Sequence, residues 1–234
     1  MLSVFVVPEI TNTDSITVDG DEAHHAIKVM RLNIGEEIIV TDGAGNWAQG
    51  LVSTVDKKSF AITVSRRGVE EQRTPQMIVI QALTKSDRMR ETIELLTVAG
   101  VDRIIPWKAE RSIAQEKDGS TEKWMAVAVA ASKQSRRLRF PVIESALTTA
   151  QIIDRFGANL IVLHESASAK LSDLEFVDET PVVIVVGPEG GISDAELSQL
   201  SATAVRMGPQ VLRSSHAGFA ALAALQTLIA RWED

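Results

Sequence analysis

A glycine-rich stretch offers the clearest chemistry in this sequence. Gly187-Pro188-Glu189-Gly190-Gly191 directly follows an apolar, β-branched run at Val182–Val186. Glycines let a backbone approach a ligand closely and adopt positive φ angles. Ser193 or Asp194 can cap the following helix, with Glu196 completing a start similar to a capping box. The stretch has neither the Lys-Ser/Thr of a Walker A loop nor the spacing of Gly-x-Gly-x-x-Gly. It predicts either a ligand-binding loop or simply a tight turn between a strand and a helix.

Two further loops are predicted to lie beside it. One runs from Met207-Gly208-Pro209 to Arg213-Ser214-Ser215-His216, and the other is Leu163-His164-Glu165-Ser166 after another apolar strand. Because the carboxyl ends of parallel strands meet at one edge of a sheet, the three loops are expected to form one pocket. Both His164 and His216 are also compatible with surface or capping roles. No His, Asp or Glu grouping has the spacing of metal ligands, and there is no Gly-x-Ser-x-Gly motif.

The elements that carry these loops follow strand–helix alternation in residues 73–234. Such alternation is typical of a parallel α/β sheet. The predicted strands are Met77–Leu83, Arg103–Trp107, Val142–Glu144, Leu160–His164, Val182–Val186 and Ala204–Met207, and the predicted helices are Asp87–Ala99, Glu122–Ser135, Thr149–Phe156, Asp194–Ser201 and Ser214–Arg231.

The first 72 residues have a different pattern, with short strands separated by turns. A helix at Asp21–Leu32 interrupts them, and the polar stretch Arg66–Pro75 is a plausible linker. So many short strands in so short a segment indicate a small barrel. The predicted strands are Ser3–Val7, Ser15–Val18, Glu37–Thr41, Ala48–Val55 and Phe60–Ser65.

Composition narrows the function classes. The chain has 234 residues, no Cys and no Tyr, and 24% charged residues. Without Cys, disulfides, thiolate zinc sites, iron–sulfur clusters and Cys nucleophiles are excluded. The sequence shows no targeting signal and no apolar run near the ~20 residues that span a bilayer. We therefore expect a soluble protein of the cytoplasm, with no membrane partner and no metal.

The formal net charge of −7 hides an uneven distribution. Residues 1–72 carry a net charge of −5, residues 73–141 carry +5, and residues 142–234 carry −7. Four cations fall within seven residues at Lys133, Arg136, Arg137 and Arg139. This basic run indicates either a nucleic-acid contact or an ordinary solvated helix end.

Together these motifs resemble the SPOUT class of methyltransferases, and more narrowly the bacterial 16S ribosomal RNA uridine-N3 methyltransferase family. The resemblance rests on the order and spacing of matches along nearly the whole chain, since each match alone is weak. The matching residues are His25, Val29, Arg31, Gly35, Lys85, Ile93, Gly100-Val101, Ile105-Pro106, Glu110-Arg111-Ser112, Trp124, Ala131, Gln134, Arg136, Val186–Gly191 and Met207–Arg213, followed by an Ala-rich final helix.

The resemblance implies a PUA-like, RNA-binding β-barrel at residues 1–72. It implies a SPOUT α/β domain with a trefoil knot at residues 73–234, which binds S-adenosylmethionine and forms a homodimer. Carried onto this sequence, the cofactor-binding residues are Leu163, His164, Val186, Gly187, Pro188, Gly190, Gly191, Met207, Gly208, Val211, Leu212, Ser214 and Ala217.

The implied reaction is methylation of N3 of a uridine in 16S ribosomal RNA, at position 1498 in that RNA's conventional numbering. The substrate is either the free RNA or the small ribosomal subunit. Arg213 is the candidate for stabilising charge on the uracil oxygens, and Glu189 and His216 are the candidate bases. The expected RNA-binding cations are Lys28, Arg31, Lys85, Arg88, Arg90, Arg111, Lys133, Arg136, Arg137 and Arg139.

One departure from the family pattern leaves an alternative open. The family commonly reads Leu-Arg-Thr-Glu-Thr-Ala where this chain reads Leu212-Arg213-Ser214-Ser215-His216-Ala217, so Ser215 replaces an acidic residue. The alternative is a non-catalytic protein that binds ribosomal RNA and has a decayed cofactor pocket. A third possibility is an α/β enzyme that binds a nucleotide phosphate at Gly187–Gly191, although no Lys or Arg adjoins these glycines in sequence.

Overall fold

The computed structural model describes residues 2–176, 179–200 and 202–232. The chain forms two compact units. The first unit comprises the chain up to Gln72 together with Ser132–Phe140, and the second comprises Arg73–Ala131 and the chain from Pro141 onward. Ser132–Phe140 thus belongs to the first unit, although it lies inside the range 73–234 predicted for the second domain.

A five-stranded sheet forms the first unit. Its order is β1-β3-β4-β5-β2, with β1 and β3 parallel and the other pairs antiparallel. The strands are β1 (Ser3–Val6), β2 (Ser15–Val18), β3 (Glu37–Thr41), β4 (Asn46–Val55) and β5 (Phe60–Val69), with helix α1 at Gly20–Lys28. The sheet encloses its own apolar core, in which the Phe5 and Phe60 rings meet edge to face at 5.3 Å.

Several predicted boundaries in this unit differ from the structure by one or two residues, and two others, the ends of α1 and β5, are wrong by four. Helix α1 ends at Lys28 rather than Leu32, because Arg31 adopts a left-handed backbone conformation with φ 57°. Strand β5 continues to Val69, through part of the predicted linker Arg66–Pro75. It does so because Val69 pairs with Asn46 on the equally long β4, so the backbone polar groups of this polar stretch have partners.

The segment Ser132–Phe140 is tied to the first unit by its backbone. The carbonyl of Leu138 accepts a hydrogen bond from the Thr41 hydroxyl at 2.8 Å. The Phe140 N–H donates to the Gly43 carbonyl at 2.8 Å, and the Arg139 guanidinium donates to the Glu70 carbonyl at 2.9 and 3.0 Å. These bonds extend the first unit with residues distant in sequence.

The second unit is built on a six-stranded, entirely parallel sheet. Its order is β11-β9-β10-β6-β7-β8. The strands are β6 (Met77–Ala82), β7 (Arg103–Trp107), β8 (Val142–Ile143), β9 (Ile161–Leu163), β10 (Val182–Val186) and β11 (Thr203–Val205). The helices are α2 (Ser86–Val98), α3 (Ser120–Ser135, whose last turn belongs to the first unit), α4 (Thr149–Phe156), α5 (Asp194–Leu200) and α6 (Ser214–Leu228), with a short 3-10 turn at Leu171–Asp173.

Helices cover both faces of this sheet, which explains the apolar runs in the sequence. Every residue of β6 and β10 is buried, and alternate side chains enter two separate clusters. Helices α2 and α6 pack in one cluster, and α4 and α5 in the other. Parallel strands buried on both faces read as continuous Val and Ile runs. The α/β sheet expected from the strand–helix alternation is therefore confirmed.

The last helix is shorter than predicted. Helix α6 ends at Leu228 rather than Arg231, and Ala230 adopts a left-handed conformation with φ 52°. Arg231 then turns inward, where its guanidinium lies 2.6 Å from the Asp102 carboxylate and its side chain is 3% exposed. The predicted end of the preceding helix, Ser201, lies outside the described residues. In the described parts of the chain, no helix has the length and apolarity to cross a membrane.

Candidate functional site

The three loops singled out in the sequence meet at the carboxyl edge of the parallel sheet. Strand β10 lies between β9 and β6, and β11 lies on the other side of β9. The loop after β11 stays beside the loop after β9, because the His164 N–H donates to the Val205 carbonyl at 2.9 Å. The predicted convergence of the three loops is confirmed.

The loops enclose an open cavity of about 440 Å³. This volume is in the range of small-molecule sites. The predicted cofactor-binding residues that line the cavity are Leu163, His164, Val186, Gly187, Pro188, Gly191, Val211, Leu212, Ser214 and Ala217.

The remaining predicted cofactor-binding residues lie just outside this cavity. Met207 and Gly208 line an adjoining cavity of about 80 Å³, which shares Leu163 and Ala217 with the larger one. Gly190 does not line either cavity, and its carbonyl instead accepts a hydrogen bond from the Arg111 guanidinium at 3.2 Å.

The glycine-rich loop is a tight turn as well as a cavity wall. The Gly191 N–H donates to the Pro188 carbonyl at 2.9 Å, and Gly191 has φ 74°, where other residues are strained. A Cβ atom on Gly187 would lie 2.7 Å from Cγ1 of the buried Ile192. The same residues therefore form a tight turn and line the cavity, so the two predictions for this motif are compatible.

A chain of buried polar groups joins two of the cavity's walls. The Ser214 hydroxyl donates to the Gly187 carbonyl at 2.6 Å and accepts a hydrogen bond from Gln81 Nε2 at 3.0 Å. The neighbouring Ser215, which replaces the family's acidic residue, is 3% exposed and lines the cavity. The first turn of α6 is thus fixed to the end of β10.

The three predicted catalytic residues are not equivalent in the structure. Arg213 and Glu189 are exposed residues that line the cavity. His216 does not line it, and its Nε2 atom instead lies 3.4 Å from Oε1 of Glu91 on helix α2. Desolvation acts to raise the pKa of the Glu91 carboxyl, but hydrogen bonds from His216 and Arg88 outweigh it and hold this pKa below its ordinary value.

Two charged residues of the cavity were predicted neither to bind cofactor nor to act in catalysis. Arg88, expected to bind RNA, lines the cavity and lies 3.3 Å from the Glu91 carboxylate. Glu165 lines it as well. Only their places in the sequence could have indicated this role. Arg88 lies in the first turn of the helix that follows β6, and Glu165 directly follows His164.

The predicted RNA-binding cations have different environments. In the first unit, Lys133 lies 2.7 Å from the Glu22 carboxylate and 5.8 Å from the centre of the Phe5 ring, so it stabilises the fold. Arg139 also stabilises this unit, because its guanidinium donates to the Glu70 carbonyl. Arg137 is half-buried. In the second unit, Arg111 donates to the Gly190 carbonyl. The exposed members are Lys28, Arg31 and Arg136 in the first unit, and Lys85, Arg90 and Arg111 in the second.

Metal-ligand groupings are absent from the described chain: within residues 2–176, 179–200 and 202–232, no three His, Asp or Glu side chains are arranged to hold a metal ion.

The class of the protein follows from family comparisons that match both units. The RNA methyltransferase domain family matches residues 70–226, and the RNA methyltransferase PUA domain family matches residues 18–65. The site described above therefore lies in an RNA methyltransferase domain.

Individual relatives narrow this class. Ribosomal RNA small subunit methyltransferase E of Mycobacterium tuberculosis is 37% identical over 98% of this chain and 93% of its own length. The protein of the same name from Bacillus subtilis is 28% identical over 93% of this chain and 91% of its own. The crystal structure of the Neisseria gonorrhoeae protein of that name, bound to S-adenosyl methionine, has a TM-score of 0.87 at 26% identity and covers 97% of this chain and 98% of that one. The chain belongs to the ribosomal RNA small subunit methyltransferase E family, and the resemblance found in the sequence is confirmed.

Proposed function

We propose that this protein transfers a methyl group from S-adenosylmethionine to N3 of one uridine in 16S ribosomal RNA. The observation that carries the proposal is the 440 Å³ cavity, which the predicted cofactor loops line at the carboxyl edge of the sheet. A relative of 26% identity and nearly the same fold was crystallised with this cofactor. The family resemblance, and not the cavity, indicates that the methylated atom is N3 and that the base is a uridine.

The lining of the cavity offers apolar and charged groups that match the parts of S-adenosylmethionine. Val211 and Leu212 line the cavity and are 77% and 42% exposed although both are apolar, so they offer a face for an adenine ring. Arg88 can pair with the cofactor's carboxylate, and Glu165 with its ammonium group. When bound, the cofactor supplies a methyl group activated by a sulfonium.

The cavity's own residues would then prepare the uracil. N3 of uridine is protonated and neutral at pH 7, so it becomes a good nucleophile only when its proton is removed. Arg213 lines the cavity with an exposed guanidinium, which suits it to stabilise negative charge on the flanking uracil oxygens. Glu189, also exposed in the cavity, is the better-placed candidate base. His216, whose ring faces Glu91, is the second candidate.

RNA would be held by the exposed cations. N3 lies on the Watson–Crick edge, so a paired or stacked uridine has to be extruded before it can react. Lys28, Arg31 and Arg136 in the first unit, and Lys85 and Arg90 in the second, are available to phosphates. The remaining features carried by the resemblance are a homodimer, a trefoil knot, and the cytoplasm as the place where ribosomal RNA is modified; these stay predictions.

The proposal is tested by mapping methylated nucleotides. Purified protein is incubated with S-adenosylmethionine and either free 16S RNA or small ribosomal subunits from a strain that lacks the methylation. Mass spectrometry of nuclease fragments should show one added methyl group on the base of a single uridine. An unmodified RNA with both substrates, or a methyl group on a ribose or another base, would overturn the proposal.

Calorimetry distinguishes the non-catalytic alternative. A decayed pocket would give no heat on titration with S-adenosylmethionine, even where the protein binds RNA. Inorganic phosphate titrated under the same conditions addresses the third possibility, a phosphate site at Gly187–Gly191. We expect heat with the cofactor and none with phosphate.

A further inference from the structure

A polar side chain interrupts the apolar centre of the parallel sheet. Strand β6 reads Met-Ile-Val-Ile-Gln-Ala and its neighbour β10 reads Val-Val-Ile-Val-Val, so Gln81 is the only polar residue within residues 77–82 and 182–186. Its side chain is fully buried. Burying an amide costs free energy unless its hydrogen-bonding groups find partners. The presence of Gln81 therefore requires an explanation other than the packing of the sheet.

The amide of Gln81 is only half satisfied. Its Nε2 atom donates to the Ser214 hydroxyl at 3.0 Å and to the Ala82 carbonyl at 3.3 Å. Among the described residues, no group donates a hydrogen bond to its Oε1 atom. A buried amide oxygen without a partner is destabilising. What this side chain provides is therefore a directed hydrogen bond from the strand to Ser214.

The Ser214 hydroxyl passes this contact on to the glycine-rich loop. It accepts from Gln81 and donates to the Gly187 carbonyl at 2.6 Å. A hydroxyl hydrogen rotates to suit its surroundings, and an N–H group aimed at the oxygen excludes the orientation toward Gln81. The proton is thereby left for Gly187. Ser214 and Gly187 both line the cavity of about 440 Å³ that is proposed for the cofactor.

Close packing of helix α6 on the sheet brings these groups together. A Cβ atom on Gly218, one turn after Ser214, would lie 3.3 Å from Cγ2 of Val186 and 3.5 Å from Oε1 of Gln81. The helix therefore approaches the ends of β6 and β10 at a residue that has no side chain. Its first turn lies within hydrogen-bond reach of Gln81 for this reason.

The same turn carries the arginine proposed to stabilise the uracil. Arg213 directly precedes Ser214, and its carbonyl accepts hydrogen bonds from the His216 and Ala217 N–H groups, both at 2.9 Å. Because its backbone belongs to this turn, a shift of Ser214 also moves the Arg213 guanidinium in the cavity. A misplacement of about 1 Å can lower the rate of a reaction about 100-fold.

We propose that Gln81 is a positioning residue of the proposed reaction, which acts through the Ser214 hydroxyl to hold the Gly187 carbonyl and the turn of Arg213 in place. Gln81 itself does not line the cavity. The effect on rate rests on the proposed function, whereas the effect on cofactor affinity depends on the cavity alone. Stability and activity should therefore respond differently when an apolar residue replaces Gln81.

The first variant is Gln81→Met, which keeps the length of the side chain and removes its polar groups. Ser132→Ala, which removes another buried polar group from the first unit, is the control. Melting temperature, calorimetric affinity for S-adenosylmethionine and single-turnover rate on 16S RNA at saturating cofactor are measured for each.

The expected result separates stability from activity. Gln81→Met should melt at or above the wild-type temperature, because the unpartnered oxygen is gone and Ser214 can still donate to Gly187. We expect about threefold weaker cofactor binding and an about tenfold lower rate, since both the loop and Arg213 lose their fixed positions. The control should match the wild type in affinity and rate.

A double-mutant cycle shows whether Gln81 acts through Ser214. Ser214→Ala removes the hydroxyl that connects Gln81 to the cavity. Adding Gln81→Met to this variant should then change affinity and rate by less than about twofold, because the connection is already broken.

The inference is overturned if Gln81→Met matches the wild type in both affinity and rate, or if its effect is as large in the Ser214→Ala background. A clearly lower melting temperature of Gln81→Met would assign Gln81 to the stability of the fold and overturn the inference as well. A wild-type protein that binds S-adenosylmethionine but does not methylate 16S RNA contradicts the proposed function, and the affinities then decide the inference by themselves. A wild-type protein that binds no cofactor overturns both.

Discussion

The loops at the carboxyl edge of the sheet and the basic run Lys133–Arg139 differ in opposite ways: the loops are far apart in sequence but close in the structure, whereas the basic residues are close in sequence but have separate partners. The edge loops are scattered from Leu163 to Ala217, yet they line one cavity. The basic run is contiguous, yet its members diverge: Lys133 pairs with Glu22, Arg139 binds the Glu70 carbonyl, and Arg136 is exposed.

The difference has a simple physical origin. Parallel strands must all end at the same edge, so residues that follow them converge whatever their separation along the chain. Neighbouring cations have no such constraint, because their side chains point in different directions and contact different groups. Position relative to a strand is therefore a stronger guide to function than a local count of charges.

The largest effect is expected at the cavity. Arg213→Ala should lower the methylation rate on 16S RNA about 100-fold or more, because charge on the uracil oxygens loses its stabilising guanidinium. The single-turnover rate with saturating S-adenosylmethionine measures this. Arg66→Ala, an exposed cation of the first unit, is the control and should be unaffected. Near-normal turnover in Arg213→Ala would remove Arg213 from the reaction.

A second prediction concerns the space around the glycine-rich loop. The Cβ of Gly187→Ala would lie 2.7 Å from Cγ1 of Ile192, so the loop has to shift. Overpacking of this kind costs about 1–3 kcal/mol, and we expect cofactor affinity in calorimetry to fall about tenfold. The double variant with Ile192→Ala removes the clash and should recover part of the affinity. Unchanged affinity in Gly187→Ala would show that the loop conformation does not matter for binding.

A third prediction separates exposed from paired cations. Arg31→Glu with Arg136→Glu should weaken RNA binding about tenfold and reduce the salt dependence of the binding constant, since fewer counterions are released. Filter binding at several salt concentrations measures both quantities, and cofactor affinity should stay the same. Lys133→Met is the informative comparison: its main effect should be a lower melting temperature, because it breaks the contacts with Glu22 and Phe5. An unchanged salt slope in the double variant would contradict an RNA contact here.

The smallest effect is expected at an ion-pair group near the sheet's edge strand β8. Hydrogen bonds from Arg155 and then Arg103 hold the pKa of the Glu144 carboxyl below its ordinary value, with both guanidinium groups 2.5 Å away. Glu144→Gln should reduce the free energy of unfolding by about 1 kcal/mol at pH 7.

The pH dependence of this effect has a definite sign. A carboxyl with a lowered pKa stabilises the fold above the pKa of the unfolded state, and the contribution disappears as the pH falls through the folded-state pKa. Denaturant unfolding of the wild type and Glu144→Gln should therefore converge at acidic pH. The exposed Glu122→Gln serves as the control. A difference that persists unchanged in acid would rule out ionised Glu144 as its cause.

Much of the fold could be predicted because its signals are local. Apolar β-branched runs such as Val182–Val186 and the order of strands and helices were enough to predict a parallel sheet and the edge where Gly187, His164 and Met207 meet. Ends of elements were less predictable. Helix α1 stops early because Arg31 adopts a left-handed backbone, which no residue-type rule indicates for arginine.

Other features could not be predicted because they depend on packing between distant parts of the chain. Arg88 belongs to the cavity only because α2 begins beside it, and the sequence showed just one more cation in a basic region. The hydrogen bond from Gln81 to Ser214 depends in the same way on how α6 packs on the sheet. Glu196 looked like part of a helix cap, and its second role as an acceptor for Glu110 and Thr149 needs three loops to be in place.

The discontinuity of the first unit has a consequence for how the protein is made. Residues up to Gln72 leave the ribosome before Leu138–Phe140, which supply further hydrogen-bond partners to Thr41, Gly43 and Glu70. Because a domain completes its folding only when all of its segments have emerged, the first unit cannot finish folding until the β6–α3 stretch has been synthesised. A fragment truncated after Gln72 would therefore lack the Ser132–Phe140 segment of the first unit, so the folding of this unit depends on the synthesis of part of the second.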